Sequence, residues 1–308
     1  MSATPASAAA SPPARFDAAD FAQLGICSLI WGTTWFAITH QLGVVAPVIS
    51  VIYRFGLAAA LLFVICLATG RKIALSPQQH LGALGQGVFT FGVNYAFVYL
   101  AEERLASAVV AVLFAGLAFL NLILFRLVLR QKASGAAWAG AALGVAGVAV
   151  LSWSELLRAD MGTRAAIGLA YGFTAVIGAA IGNLFAWRAQ KLGAEIFACT
   201  AWGMAYGTAM LAVWALATGE AWRFEWSVGY VGSLLYLSLF GSVTAFVLYF
   251  TLARRRGYTL ASYISAVTPP IAMAVSAVFE HAKWGVAALA GVALVMLGQV
   301  LLIRAPKG

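Results

Sequence analysis

Apolar residues run almost unbroken along this chain, in stretches of about twenty separated by short polar breaks. The runs fall at 21–39, 46–69, 81–101, 105–125, 135–153, 165–186, 195–217, 227–253, 258–279 and 284–303. A helix rises 1.5 Å per residue, so roughly 20 apolar residues carry it across the hydrocarbon core of a bilayer. The pattern predicts an all-α polytopic membrane protein with ten transmembrane helices. The connections are mostly shorter than ten residues, which leaves no room for a soluble domain between them.

Two of the runs carry a glycine-plus-polar break. The first is Leu29-Ile-Trp-Gly-Thr-Thr-Trp-Phe36, and it is echoed by Ala180-Ile-Gly-Asn-Leu-Phe185 about 150 positions later. Other matches keep the same order. Ala139, Gly140, Ala142, Leu143 and Gly147 correspond to Ala290, Gly291, Ala293, Leu294 and Gly298. Leu105-Ala-Ser107 corresponds to Leu260-Ala-Ser262, Leu100-Ala101 to Leu252-Ala253, and Leu42-Gly43 to Leu192-Gly193. Each half then holds five spans, at 21–153 and 165–303. Because five is odd, the second half enters the membrane in the opposite sense, which predicts two inverted five-helix repeats around a shared central cavity.

Composition removes the soluble alternatives. The chain is 63% apolar and 9% charged, whereas soluble domains carry roughly 25% charge. Its net charge of +9 would suggest nucleic acid in a soluble protein; here lysine and arginine belong to cytoplasmic loops and lipid headgroups, and no nucleic-acid partner is expected. With the N-terminus inside, the inner side holds Arg15, Arg71, Lys72, Arg126, Arg130, Lys132, Arg188, Lys191, Arg254, Arg255, Arg256, Arg304 and Lys307. The outer side holds only Arg104, Arg158, Arg164, Arg223 and Lys283, and Arg54 falls inside a helix. That bias predicts both termini in the cytoplasm, with residues 1–20 a disordered tail and 304–308 a short one. Cys27, Cys66 and Cys199 are isolated, and His40, His80 and His281 are scattered toward helix ends. Neither a metal site nor any cofactor is expected.

At this point the residues resemble a known family. The set comprises five plus five helices, Trp31-Gly32-Thr33 in helix one and Arg54 in helix two. It continues with Thr268-Pro269-Pro270, then Glu280, then Gly291, Leu294 and Gly298 in the last helix. Together they resemble the drug/metabolite transporter superfamily in its EamA branch, over about residues 20–303, and in size and layout its bacterial amino-acid exporters. The resemblance implies a bacterial inner-membrane transporter working by alternating access, functional as a monomer. One departure matters. The family often has a proline in helix four and a glutamate at its end, where this chain has Arg126, Arg130 and Lys132 instead. A mechanism needing both glutamates is therefore in doubt.

Ionisable side chains deep in a bilayer are costly and mark function by default, and this chain has almost none. Arg54, eight residues into helix two, reads either as a carboxylate contact or outer gate, with Glu102 or Glu103 near it, or as a structural arginine. Helix one offers Gln23, Thr33, Thr34 and Thr39 but no acid, which argues against a proton antiport built on a carboxylate in that helix. A lone arginine argues against phosphorylated substrates. What remains is aromatic and polar: Thr33, Trp35, Asn94, Tyr95, Tyr99, Asn183, Trp187, Trp202, Tyr206, Phe246, Tyr249 and Tyr263. Aromatic walls with a few hydroxyl and amide groups suit a small zwitterion or a cation held over a ring; the same residues are also ordinary at bilayer interfaces and helix contacts. Arg54, Glu102, Pro269, Pro270 and Glu280 are the candidates for gating or structural roles. The expected function is export of small amphiphilic metabolites, amino acids first, aromatic ones included. The alternative is export of hydrophobic or cationic drugs by the same fold. No cluster of His, Asp, Glu, Ser or Cys suggests an enzyme.

Overall fold

The computed structural model describes residues 17–130, 134–156, 162–261 and 264–304, and every regular element among them is helical. In order these are α1 (Ala18–Thr39), α2 (Pro47–Ala68), α3 (Pro77–Gln86), a π-helical segment Gly87–Asn94, α4 (Tyr95–Glu102), α5 (Ser107–Ala115), α6 (Leu117–Leu129) and α7 (Gly135–Leu156). Then come α8 (Gly162–Lys191), α9 (Ile196–Thr218), α10 (Val228–Tyr236), a second π-helical segment Leu237–Thr244, α11 (Ala245–Arg256), α12 (Tyr258–Ala261), α13 (Ile264–Phe279) and α14 (Val286–Arg304). Among the described residues eight helical stretches are long and apolar enough to cross a bilayer, and two shorter apolar ones lie at Val267–Phe279 and Val286–Leu301. Large apolar side chains such as Leu67, Leu127, Val213 and Leu216 face outward, as they do where lipid is the solvent.

The helix starts are written locally. Asp17 accepts the backbone N–H of Asp20 at 2.8 Å while the Asp20 carboxylate accepts that of Asp17 at 3.1 Å. This reciprocal cap starts α1 at Ala18, inside the stretch expected to be tail, because two orphan N–H groups are satisfied there. Ser76 and Gln79 make the same box ahead of α3, with Pro77 at its first position. Glu195 caps α9 through the Ala198 N–H (2.8 Å) and pairs with Arg71 (3.0 Å). The pair is half-exposed and adds little, so Glu195→Ala is expected to lower stability by about 1 kcal/mol, mostly through the lost cap. Thermal unfolding in detergent checks this; an unchanged midpoint would remove the cap from the account.

Three interruptions were not legible as such. The stretches that open with α3 and α10 each become π-helical partway along, ten and nine residues in, for eight residues each. Gly116 separates α5 from α6. Pro269 and Pro270 sit inside α13, where each lacks the N–H of a helical hydrogen bond. All fall on helices that reach the centre of the molecule.

The most extensive pairing is α7 with α14, and no described residue of either lines the central cavity. Within, α2 packs on α9, α1 on α13 and α11, and α3 with its π segment on α8. One end of the α1–α11 contact is strapped by charge. Arg255 reaches Asp17 (2.8 Å) and Asp20 (3.3 Å), and Arg256 reaches Asp20 (2.5 Å) and Asp17 (3.4 Å).

Candidate functional site

The first π segment, α1, α4, α5, α6, α8, α11, α12 and α13 converge on one cavity of about 90 Å³. That is room for several waters or part of a small ligand. From α1 come Trp31, Thr34, Trp35 and Ile38, spaced i, i+3, i+4, i+7 and hence on one helix face. The π segment supplies Thr90 and Asn94, α4 supplies Tyr95 and Val98, and α5 supplies Phe114. Opposite stand Asn183 of α8, Phe246 and Tyr249 of α11, and Ser265 and Thr268 of α13.

The wall is an aromatic cage. Trp31 meets Phe246 edge-on at 5.2 Å and Tyr249 at 5.4 Å; Trp35 meets Phe114 at 5.1 Å. Such offset geometries are the favourable ones for rings. Trp31 is fixed by donating its indole N–H to the Gly241 carbonyl (3.2 Å), in the second π segment. No described lining residue is Asp, Glu, Lys, Arg or His.

Four lining side chains carry a buried polar atom with no protein partner: Trp35 Nε1, Thr90 Oγ1, Asn94 Oδ1 and the Tyr249 hydroxyl. Each unsatisfied group costs roughly 1–3 kcal/mol, so a donor, an acceptor and two hydroxyls left over around one cavity point to a ligand or water that completes them. Asn183 is steadied from behind, its amide 3.4 Å from Asn121 Oδ1.

Six of the sequence candidates, Trp35, Asn94, Tyr95, Asn183, Phe246 and Tyr249, thus meet at this cavity. Others lie elsewhere. Thr33 is two residues from Trp35, which turns it to the opposite face; its hydroxyl bonds the Tyr236 hydroxyl at 2.6 Å and backbone carbonyls of its own helix. Tyr99 is buried behind Tyr95, against Arg54. Trp187 stands one turn beyond Asn183, beside Phe125 and under Lys191. Trp202 and Tyr206 stack at 5.6 Å in a separate cluster with His80, which shares a 2.9 Å hydrogen bond with the Tyr206 hydroxyl. Tyr263 lies outside the described residues. Trp31, Thr34, Thr90, Phe114, Ser265 and Thr268 were not among the candidates; the i, i+3, i+4, i+7 face of α1 was the available signal.

The gating candidates sit around the cavity. Arg54 is 1% exposed and bonds Ser242 Oγ (3.0 Å) and the Tyr99 hydroxyl (3.5 Å); its guanidinium lies 4.6 Å from the Tyr95 ring and 5.0 Å from that of Phe55. No carboxylate of a described residue lies within 4 Å of it. Glu103, one proposed neighbour, pairs with Arg104 instead (3.1 Å). Glu102 is 7% exposed, with no hydrogen bond to either oxygen. Glu280 accepts the Ser107 hydroxyl at 2.6 Å, tying the end of α13 to the start of α5. Pro269 and Pro270 follow directly on Thr268 of the cavity wall.

Comparison with known proteins agrees in extent with this architecture. The chain matches the EamA-like transporter family over residues 23–153 and again over 166–304. It is 25% identical over 255 residues to protein PagO of Salmonella typhimurium, covering 80% of this chain and 81% of that one. It is 27% identical over 266 residues to an uncharacterized inner membrane transporter, YedA, of Escherichia coli (82% and 80% covered). Over 262 residues it is 24% identical to an uncharacterized transporter, YoaV, of Bacillus subtilis (81% and 85% covered). A protein of solved crystal structure shares the fold with a TM-score of 0.70 at 17% identity, over 93% of this chain and 96% of that chain.

Proposed function

The chain belongs to the EamA-like transporter family, a multi-pass membrane transporter of a small molecule, and on that premise we propose that it exports small amphiphilic metabolites, amino acids first and aromatic ones among them. The observation that carries this is the cavity itself: aromatic on most sides, with no charged side chain among its described lining residues, and holding four unpartnered polar atoms. An apolar pocket with a few convergent polar groups is the usual form of a small-molecule site. An amino acid would set its side chain against Trp31, Phe114 and Phe246, and its polar head against Trp35, Thr90 and Asn94.

We further propose that ten spans form two inverted repeats, 21–153 and 165–303, with both termini cytoplasmic in the bacterial inner membrane, and that one chain is the working unit. Three observations support the duplication. The family matches twice, once per half. The third span of each half carries an eight-residue π segment at nearly the same depth. Helix contacts also repeat when the halves are exchanged: α3 and its π segment against α8 mirror the second π segment and α11 against α1, while α2–α9, α5–α13 and α7–α14 each pair one span with its counterpart. In this scheme alternating access rocks the halves about the cavity. The π segments and Pro269–Pro270 supply the places where helix hydrogen bonding is already irregular.

The test is efflux from cells preloaded with labelled amino acids, expressing and non-expressing, with and without a protonophore. Faster loss of aromatic and apolar amino acids supports the reading, and persistence under protonophore indicates flow down the substrate gradient. No effect with any amino acid, together with drug resistance conferred by expression, transfers the site to hydrophobic drugs, for which the aromatic wall is the favouring feature.

A further inference from the structure

Arg54 is a buried cation immediately behind a cavity whose described lining residues carry no charge. The guanidinium lies 4.6 Å from the ring of Tyr95, a wall residue. On its other flank is Gly241, where a Cβ would sit 3.3 Å from Arg54 Nη2 and 2.8 Å from Thr34 Cγ2. Thr34 is also a wall residue, so only the thickness of Tyr95 and of a glycine separates the charge from the cavity.

The groups holding Arg54 are neutral. Ser242 accepts from Nε and the Tyr99 hydroxyl from Nη1; the guanidinium lies over the Phe55 and Tyr95 rings. Ser238 donates to the Arg54 carbonyl (3.1 Å), fixing the backbone beneath it. Glu102 lies three residues past Tyr99, which bonds Arg54, and its oxygens bond no protein group. Glu280 lies further out and is engaged by Ser107. Neither neutralises the guanidinium by direct pairing.

Burying a charge is expensive unless it is paired and hydrogen-bonded. A structural need for hydrogen bonds alone would be met by an uncharged donor, so the retained charge calls for a use that reaches beyond its contacts. In a low-dielectric interior such a field extends several ångströms and is poorly screened.

We infer that Arg54 sets the charge selectivity of the cavity from behind its wall, admitting ligands that carry a carboxylate and rejecting net cations. The inference rests on the amino-acid reading of the site and narrows it to zwitterions with uncharged side chains. It also separates this cavity from one for cationic drugs, which the ring-lined wall alone would accept. Arg54 is a specificity-determining residue acting through Tyr95 and Thr34, not by touching the ligand.

A matched pair of ligands tests it: phenylalanine and phenethylamine share a side chain and an ammonium and differ only in the carboxylate. Purified full-length protein in proteoliposomes is assayed for transport of both. Wild type is expected to favour phenylalanine by roughly tenfold or more. Arg54→Gln, which keeps hydrogen-bond donors, is expected to bring the ratio near one, with phenethylamine transport rising; Arg54→Lys, which keeps the charge, restores the preference. Should Arg54→Gln not fold, Arg54→Lys and wild type are compared by the quenching of cavity tryptophan fluorescence by each ligand, with preference for phenylalanine expected in both. An unchanged ratio in folded Arg54→Gln, or equal handling of the two ligands by wild type, overturns the selectivity role while leaving amino-acid transport standing. If wild type moves no amino acid, the amino-acid reading falls first and this inference with it.

Discussion

Gly298→Leu is expected to abolish the folded protein. A Cβ at Gly298 would lie 2.5 Å from the Gly140 carbonyl oxygen and 2.7 Å from the Gly144 nitrogen, both backbone atoms of α7. Across the same seam, a Cβ at Gly147 would lie 2.5 Å from the Gly291 carbonyl and 2.7 Å from the Val295 nitrogen. Real Cβ atoms do not approach backbone so closely, and neither helix can yield without leaving the other. In a membrane the association of helices depends on this close fit, since lipid tails are as apolar as the side chains. Overpacking an ordinary core costs roughly 1–3 kcal/mol. Here the obstruction is backbone on both sides, and the expected cost is above about 3 kcal/mol, a large part of a typical total stability. Fluorescence-detected gel filtration and melting in detergent read the outcome. Gly135→Leu, at a glycine with open space around it, is the control and should behave like wild type. A Gly298→Leu protein that melts with the control would mean that the two helices do not pack in this register.

Asn94→Leu is expected to do the opposite: leave the fold intact and remove transport. Asn94 is buried, at the end of the first π segment, and its Oδ1 has no partner. Leucine keeps the same branching at Cγ and deletes an unsatisfied buried polar group, which relieves a cost of roughly 1–3 kcal/mol; with its bulkier methyls turned into the cavity, the melting temperature should hold or rise. A hydrogen bond to a charged ligand group contributes about 1.5–3 kcal/mol. Losing one from Asn94 to the ligand head lowers transport by roughly tenfold to a hundredfold. Efflux is measured at matched membrane abundance. A destabilised Asn94→Leu protein, or one transporting at the wild-type rate, contradicts the role assigned to this side chain.

Much of this organisation was legible because it rests on length and period. Twenty apolar residues can do little except span a bilayer, so the helix-bearing stretches follow from the sequence. The matched glycines of Ala139–Gly147 and Ala290–Gly298 announced a close helix pair, and α7 and α14 form one. The family followed from the ordered motifs. The site was legible only in part, for two physical reasons. Membrane helices bury polar and aromatic residues on packing faces as readily as on cavity faces, so Trp202 and Tyr206 gave the same signal as Asn94 and Phe246. Facing also depends on phase. Thr33 and Trp35 are 200° apart on an ideal helix, and the four-residue spacing that joined Tyr95 to Tyr99 continued past the cavity to Arg54. The π segments left no mark in hydrophobic periodicity, because an added residue in one turn shifts the phase without changing residue types.

The most direct test of the central claim, that the cavity holds the transported ligand, is protection of a cysteine placed in its wall. Cys27, Cys66 and Cys199 are buried, so the background of labelling by a membrane-permeant thiol reagent is low. Ser265→Cys puts one thiol on the cavity wall. Labelling is expected to slow when phenylalanine is added, with half-protection at the concentration that half-saturates transport. Labelling at one rate with and without a transported amino acid would contradict the claim.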